Sequence, residues 1–167
     1  MATAKDQPYA AGGPHPNSLA ALLRGAALAA ELLENACAPG LRDPLRLEVV
    51  RTLARDLKKE LEALATLTDE ETGAAQFEEV EGALRAADVA NLAACTLPEL
   101  LKTSVPEAAA AAHLAAGAAR ALGALAETSA EDAREYHAQN ALKDARSAMW
   151  RARLAARQVD EFLEETG

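Results

Sequence analysis

Leucine and alanine recur at helical spacing along almost the whole chain. Leu19, Leu22, Ala26, Ala29 and Leu33 follow one another at steps of three and four, placing them on one face of a helix from Ser18 to Cys37. Asn17 or Ser18 caps it, and Pro39 with Gly40 ends it. Asp43 before Pro44 pairs a capping side chain with a proline at the first helical position, which opens a second helix. Its predicted buried stripe is Val50, Leu53, Leu57, Leu61 and Leu64, with Arg51, Arg55, Lys58, Lys59, Glu60 and Glu62 mostly off it.

Thr68 followed by acids, with Gly73 inside the stretch, predicts that a third helix starts there or that the second continues with a bend; it runs past Phe77, Val80 and Leu84 to about Ala94. Pro98 marks a short helical restart, and Ser104 or Val105 ahead of Pro106 begins a fourth long helix ending near Glu127. The last helix is expected from Ser129, with Asp132 in capping-box position, to about Glu165. Leu142, Ala145, Met149, Ala152, Ala156, Val159 and Leu163 form its apolar stripe. No alternating run long enough for a sheet occurs. The pattern predicts an all-α, antiparallel up-and-down bundle of five to six helices spanning 18–167 as one domain. Gly12, Gly13, Pro8, Pro14 and Pro16 make residues 1–17 an irregular N-terminal arm.

Composition sharpens this picture. Half of the residues are hydrophobic but only 3% are aromatic, so alanine supplies much of the apolar surface, and no residue favours a helix more. A formal net charge of −9 argues against nucleic acid as a partner, because phosphate contact needs clustered Lys and Arg. Cys37 and Cys95 stand far apart with no metal-ligand spacing; both read as small buried hydrophobes in a reducing compartment. The run Ser18 to Leu33 is taken as the most apolar; it is short for a bilayer and carries Arg24 and Glu31, so it reads as a core helix. With no signal-peptide pattern at the start, a cytoplasmic protein without a membrane span is expected.

Candidate chemistry is sparse. Opposite the apolar stripe of the last helix run His137, Asn140, Asp144, Ser147 and Arg151, one polar face over four turns. Such a face is either solvated or the wall of a cleft, where burial of Asp144 would fit it for proton transfer. Arg146, Trp150, Arg153 and Arg157 share a flank suited to stacking or to an interface. His15 sits in a proline-flanked loop and His113 in an alanine helix; three scattered histidines give no metal site. Asp69, Glu70, Glu71, Glu78, Glu79 and Glu81 read as a charged helix surface, although Glu78 with Glu81 imitates half of a magnesium motif.

Three segments in order resemble the formimidoyltetrahydrofolate cyclodeaminase and methenyltetrahydrofolate cyclohydrolase family. "HPNSLAALLRGAALAAELL" is similar to the family's glycine-rich opening of the first helix, with Ser18, Ala20, Ala21 and Leu22 in matching positions. "LKTSVPEAAAAAHLAAGAARAL" resembles its V-P turn into an alanine-rich helix, and "NALKDARSAMWR" matches its Asn/Asp helix at Asn140, Ala141, Asp144, Ala145 and Ala148. The resemblance implies a cyclodeaminase-like bundle that dimerises and takes a tetrahydrofolate derivative as substrate, with no permanently bound cofactor and no metal. It implies Asp144 as the catalytic carboxylate, Asn140, Asn17 and Ser18 as substrate contacts, and Arg24 or Lys102 for a glutamate tail. The family's glycines are replaced by His15, Pro16 and Asn17. The alternative is a non-catalytic dimeric bundle of the same ancestry, binding a small molecule or a protein.

Overall fold

Proline at the first helical position costs no hydrogen bond, since that N–H would be unpartnered anyway. In a computed structural model of the chain, which describes residues 16–69, 75–130 and 136–167, Pro16 opens the first helix, two residues before the expected start. Helix α1 spans Pro16–Ala36, α2 Pro44–Asp69, α3 Ala75–Thr96, α4 Val105–Ala130 and α5 Tyr136–Thr166. The arm at 1–15, the acids Glu70 and Glu71, Gly73, Asp132 and the side chains of Asn17 and His137 lie outside the described residues.

Local chemistry sets the connections. Asp43 Oδ1 accepts the Leu45 N–H at 3.0 Å and caps α2. Between α1 and α2, Gly40 adopts φ 116°, a region where a Cβ would be strained. The expected short helix at Pro98 is two 3₁₀ turns, Leu97–Glu99 and Lys102–Ser104. An antiparallel bridge pairs Leu41 with Leu100, and the Arg42 N–H donates to the Glu99 carbonyl at 3.0 Å.

Successive helices run in opposite directions. Arg24, Glu31 and Glu34 of α1 meet Asp69, Lys58 and Arg55 of α2 in reversed order. Glu60 and Thr68 of α2 meet Arg85 and Glu78 of α3. On α4, Glu127 and His113 meet Arg146 and Asp160 of α5. The fold is an all-α helical bundle, as its periodicity predicts. Helix α4 is its axis and packs against α1, α3 and α5; α2 covers α1 and α3 from one side. Ten alanines, Leu122 and Gly123 are the buried positions of α4. By length and composition Lys102–Ala130, not the first helix, is the most membrane-like stretch among the described residues, yet 56% of its 18-residue apolar window is buried inside the bundle.

Alanine also explains where the expected stripes shift. On α2 the buried positions are Val50, Ala54, Leu61, Ala65 and Thr68, while Leu53 is 46% exposed. The small Ala54 faces inward and lets α1 and α2 approach closely, turning Leu53 outward. Helix α3 buries Ala90, Ala93 and Ala94, which leaves Asn91 and Cys95 outside. Cys95 is therefore exposed rather than buried; Cys37 is buried, and desolvation pushes its thiol up to about 11. Thr68 and Ser129 do not cap new helices. Both are still within the preceding helix, where the Thr68 hydroxyl reaches back to the Leu64 carbonyl at 2.9 Å and Ser129 is drawn toward α3.

Two glycines on α4 give opposite expectations. A Cβ on Gly123 would stand 2.5 Å from Met149 Cγ, 2.9 Å from its Sδ and 3.3 Å from the Ala145 carbonyl oxygen, whereas one on Gly117 would meet nothing within 4 Å. Gly117→Ala is expected to stabilise by about 0.5–1 kcal/mol through helix propensity. Gly123→Ala is expected to destabilise by about 1–3 kcal/mol through overpacking. Urea unfolding of both variants measures the difference, and equal midpoints would mean that α4 and α5 are not in close contact at Met149.

Candidate functional site

Helices one, three and five of an up-and-down bundle begin at the same end. At that end, polar side chains link all five helices in sequence. Arg24 of α1 pairs with Asp69 at the end of α2. Next to it, Thr68 Oγ1 lies 3.1 Å from Glu78 Oε2 in the first turn of α3. Ser129, in the last turn of α4, donates to Glu79 Oε1 at 3.2 Å. Glu127 then accepts from Arg146 Nε of α5 at 2.7 Å. The outer pairs are solvated and each contributes about 0–1 kcal/mol. The inner ones are not solvated.

Glu78 and Glu79 are 3% and 0% exposed, which corrects the expectation of a charged helix surface. Burial raises the affinity of Glu79 for its proton; the Ser129 hydroxyl opposes this and the adjacent Glu78 adds to it. Glu79 Oε2 is buried and has no hydrogen-bond partner among the described residues. A carboxyl left half-satisfied in an apolar site costs more charged than neutral, so burial makes Glu79 hold its proton more tightly than an exposed glutamate does. The Thr68 hydroxyl faces both the Leu64 carbonyl and Glu78, and its single proton serves one of them at a time.

Sequence reasoning missed this carboxyl, although a signal was present. Glu79, Ala83, Ala86, Ala90, Ala93 and Leu97 recur at steps of four and three and all are buried, so Glu79 extends the apolar stripe of α3 by one turn. Next to it Val80, Ala126 and Ala145 form a small core shared by α3, α4 and α5, with Ala141 against it. That contact fixes the first turns of α5 beside the first turns of α3.

The predicted site residues fall at this end, on its outer surface. Ser18, in the first turn of α1, is exposed, and Arg24 is exposed and engaged by Asp69. Asn140 and Asp144 are exposed on α5, flanking the buried Ala145. Ser147 is exposed as well, and Arg151 is half-buried and paired with Asp88 of α3. Helices α1 and α5 share no extended interface among the described residues; α3 and α4 stand between them. Lys102 lies at the opposite end, beyond the start of α4. Twelve residues of α1, about 18 Å of helix, separate Arg24 from that end, so the two cations belong to different parts of the bundle.

His113 Nε2 stands 3.2 Å from Asp160 Oδ1, a contact between α4 and α5 at the surface. Trp150 is 61% exposed, and Arg157 bonds Glu161 on its own helix. Among the described residues no group of three or more His, Cys, Asp or Glu side chains could hold a metal ion. No known family model matches the chain, and no curated protein matches it.

The raised proton affinity of Glu79 sets a sign for stability against pH. A carboxyl that holds its proton more tightly when folded stabilises the fold fully below its ordinary value of 4.5, and that contribution is lost as pH rises through the folded value. Glu79→Gln keeps the shape and removes the titration. Its advantage over the parent chain is expected to be smallest at acidic pH and to open as pH rises toward neutral. Thermal unfolding from about pH 4 to pH 8 measures the gap; a gap independent of pH would show that Glu79 does not titrate across folding.

Proposed function

We propose that the chain is a folate one-carbon protein of the cyclodeaminase or cyclohydrolase type, working at the end of the bundle where α1, α3 and α5 begin. The observation that supports this reading best is the buried Glu79, a carboxyl whose proton affinity is raised by burial, at the end of the bundle that also carries Ser18, Asn140 and Asp144. Ring closure of 5-formimidoyl-tetrahydrofolate needs a proton for the departing ammonia, and a carboxyl whose burial makes it hold its proton more tightly than usual is suited to supply it. Addition of water to a methenyl bridge needs the reverse step, proton removal by a carboxylate. Glu79 takes the acid role in this proposal, and Asp144 on the neighbouring helix takes the base. Asn17, Ser18 and Asn140 offer hydroxyl and amide contacts to the pterin or the one-carbon unit, and Arg24 offers a cation to the glutamate carboxylate.

A second reading, a non-catalytic dimeric bundle, is favoured by the outer face of α2. Leu45, Val49 and Leu53 follow at four-residue steps and are 84%, 58% and 46% exposed. A row of large apolar side chains left in water is a candidate contact for a second copy.

The first reading is tested by following the near-ultraviolet absorbance of 5,10-methenyl-tetrahydrofolate with and without the protein. Acceleration is expected, falling by about 10²–10⁴ in kcat for Glu79→Gln, with Asp144→Asn also impaired; no acceleration together with no folate binding by calorimetry would end it. Sedimentation equilibrium tests the second reading. A dimer is expected, converted to monomer by Val49→Glu, and a monomer at all concentrations would remove the reading.

A further inference from the structure

The far end of the bundle carries a cavity that plays no part in the proposed site. It has a volume of about 480 Å³ and lies between the α1–α2 turn, the two 3₁₀ turns and the end of α5. Small-molecule sites typically enclose about 300–1,000 Å³ behind mostly apolar walls with a few placed polar groups. Here Leu97, Leu100, Val105 and Phe162 form the apolar wall, and Arg42 and Lys102 supply two cations.

What distinguishes these cations is that both line one cavity. Most described Arg and Lys side chains, including Arg24, Arg46, Arg55, Lys58, Arg85 and Arg146, sit against a carboxylate. Glu99, the acid on the same connection, is engaged by Arg46. Among the described residues neither Arg42 nor Lys102 has a carboxylate within 4.0 Å. In a chain of net charge −9, two cations facing one cavity without a partner favour an incoming anion.

The geometry also orients that anion. Arg42 stands on the strand-like pairing of Leu41 with Leu100, so the two connections bearing the cations are tied by backbone bonds rather than free to part. The opposite wall ends at Thr166, on the last turn of α5, where unpaired carbonyls present partial negative charge. An anionic head therefore turns toward Arg42 and Lys102, and an apolar body lies on Phe162, Val105 and Leu97. Two cations with an aliphatic wall suit a single carboxylate better than a polyphosphate, which needs a nest of N–H donors. We propose that this cavity is a second binding site, for a small amphipathic carboxylate such as a medium-chain acyl acid.

Calorimetry of the full chain with decanoate tests the proposal, using decanol as the uncharged probe of the same chain length. Saturable one-to-one binding of decanoate is expected, weaker for decanol. Arg42 and Lys102 are exposed, so Arg42→Gln with Lys102→Gln is expected to leave the thermal midpoint unchanged and to weaken decanoate by about tenfold or more. Three results would overturn the site: no saturable heat up to about 1 mM decanoate, equal affinity in the double variant, or decanol binding as tightly as decanoate. All three readouts are independent of folate turnover at the other end.

Discussion

Alanine sets the distance between helices in this bundle, and the remaining features follow from that spacing. A helix whose buried face carries only methyl groups lets its neighbours approach until backbones nearly touch. Helix α4 does so toward α1, α3 and α5, so it is wrapped on three sides with Leu122 as its one large buried side chain. Each alanine buries little area, but dispersion contacts at that separation are dense. Leucines such as Leu23, Leu33 and Leu61 fill the core around that axis, while Leu45, Val49, Phe77 and Trp150 stand in water.

The two ends of the bundle differ in kind. One carries a chain of polar contacts from α1 to α5, solvated at its outer pairs and buried at its centre, where Glu79 holds a half-satisfied carboxyl. The other is closed by a backbone bridge and lined by apolar side chains under two cations. The seam between them carries no comparable polar burial among the described residues; Thr96 and Ser104 belong to the cavity end. Chemistry is thus confined to the ends, because close helix packing leaves no room for it along the shaft.

Much of the architecture was legible before any coordinates. Pro44 with the Asp43 cap located the start of α2, and the three-and-four recurrence of leucine and alanine gave the class; Pro16, read as part of the arm, instead opens α1. That Ser18, Asn140 and Asp144 share an end also follows from up-and-down topology. What could not be read has two physical causes. Alanine is equally at home on either side of a helix, so the choice between Ala54 and Leu53 as the inward residue depends on the neighbour rather than on the segment. The second cause is charge: an acid reads as exposed until its flanking periodicity is weighed, and Glu79 continues a buried stripe with a titratable group. The far cavity is assembled from residues more than a hundred positions apart, Arg42 to Thr166, which no local pattern reveals.

A seam of methyl groups has one further consequence, for how such a protein can change over time. There is almost nothing to trim from an alanine, so loss of volume is a minor route to damage along α4. Gain of volume is the major one, since each added carbon must push a neighbouring backbone. Tolerated drift along this helix is therefore one-sided, toward serine, glycine and alanine itself, and its low complexity preserves itself without any demand from function.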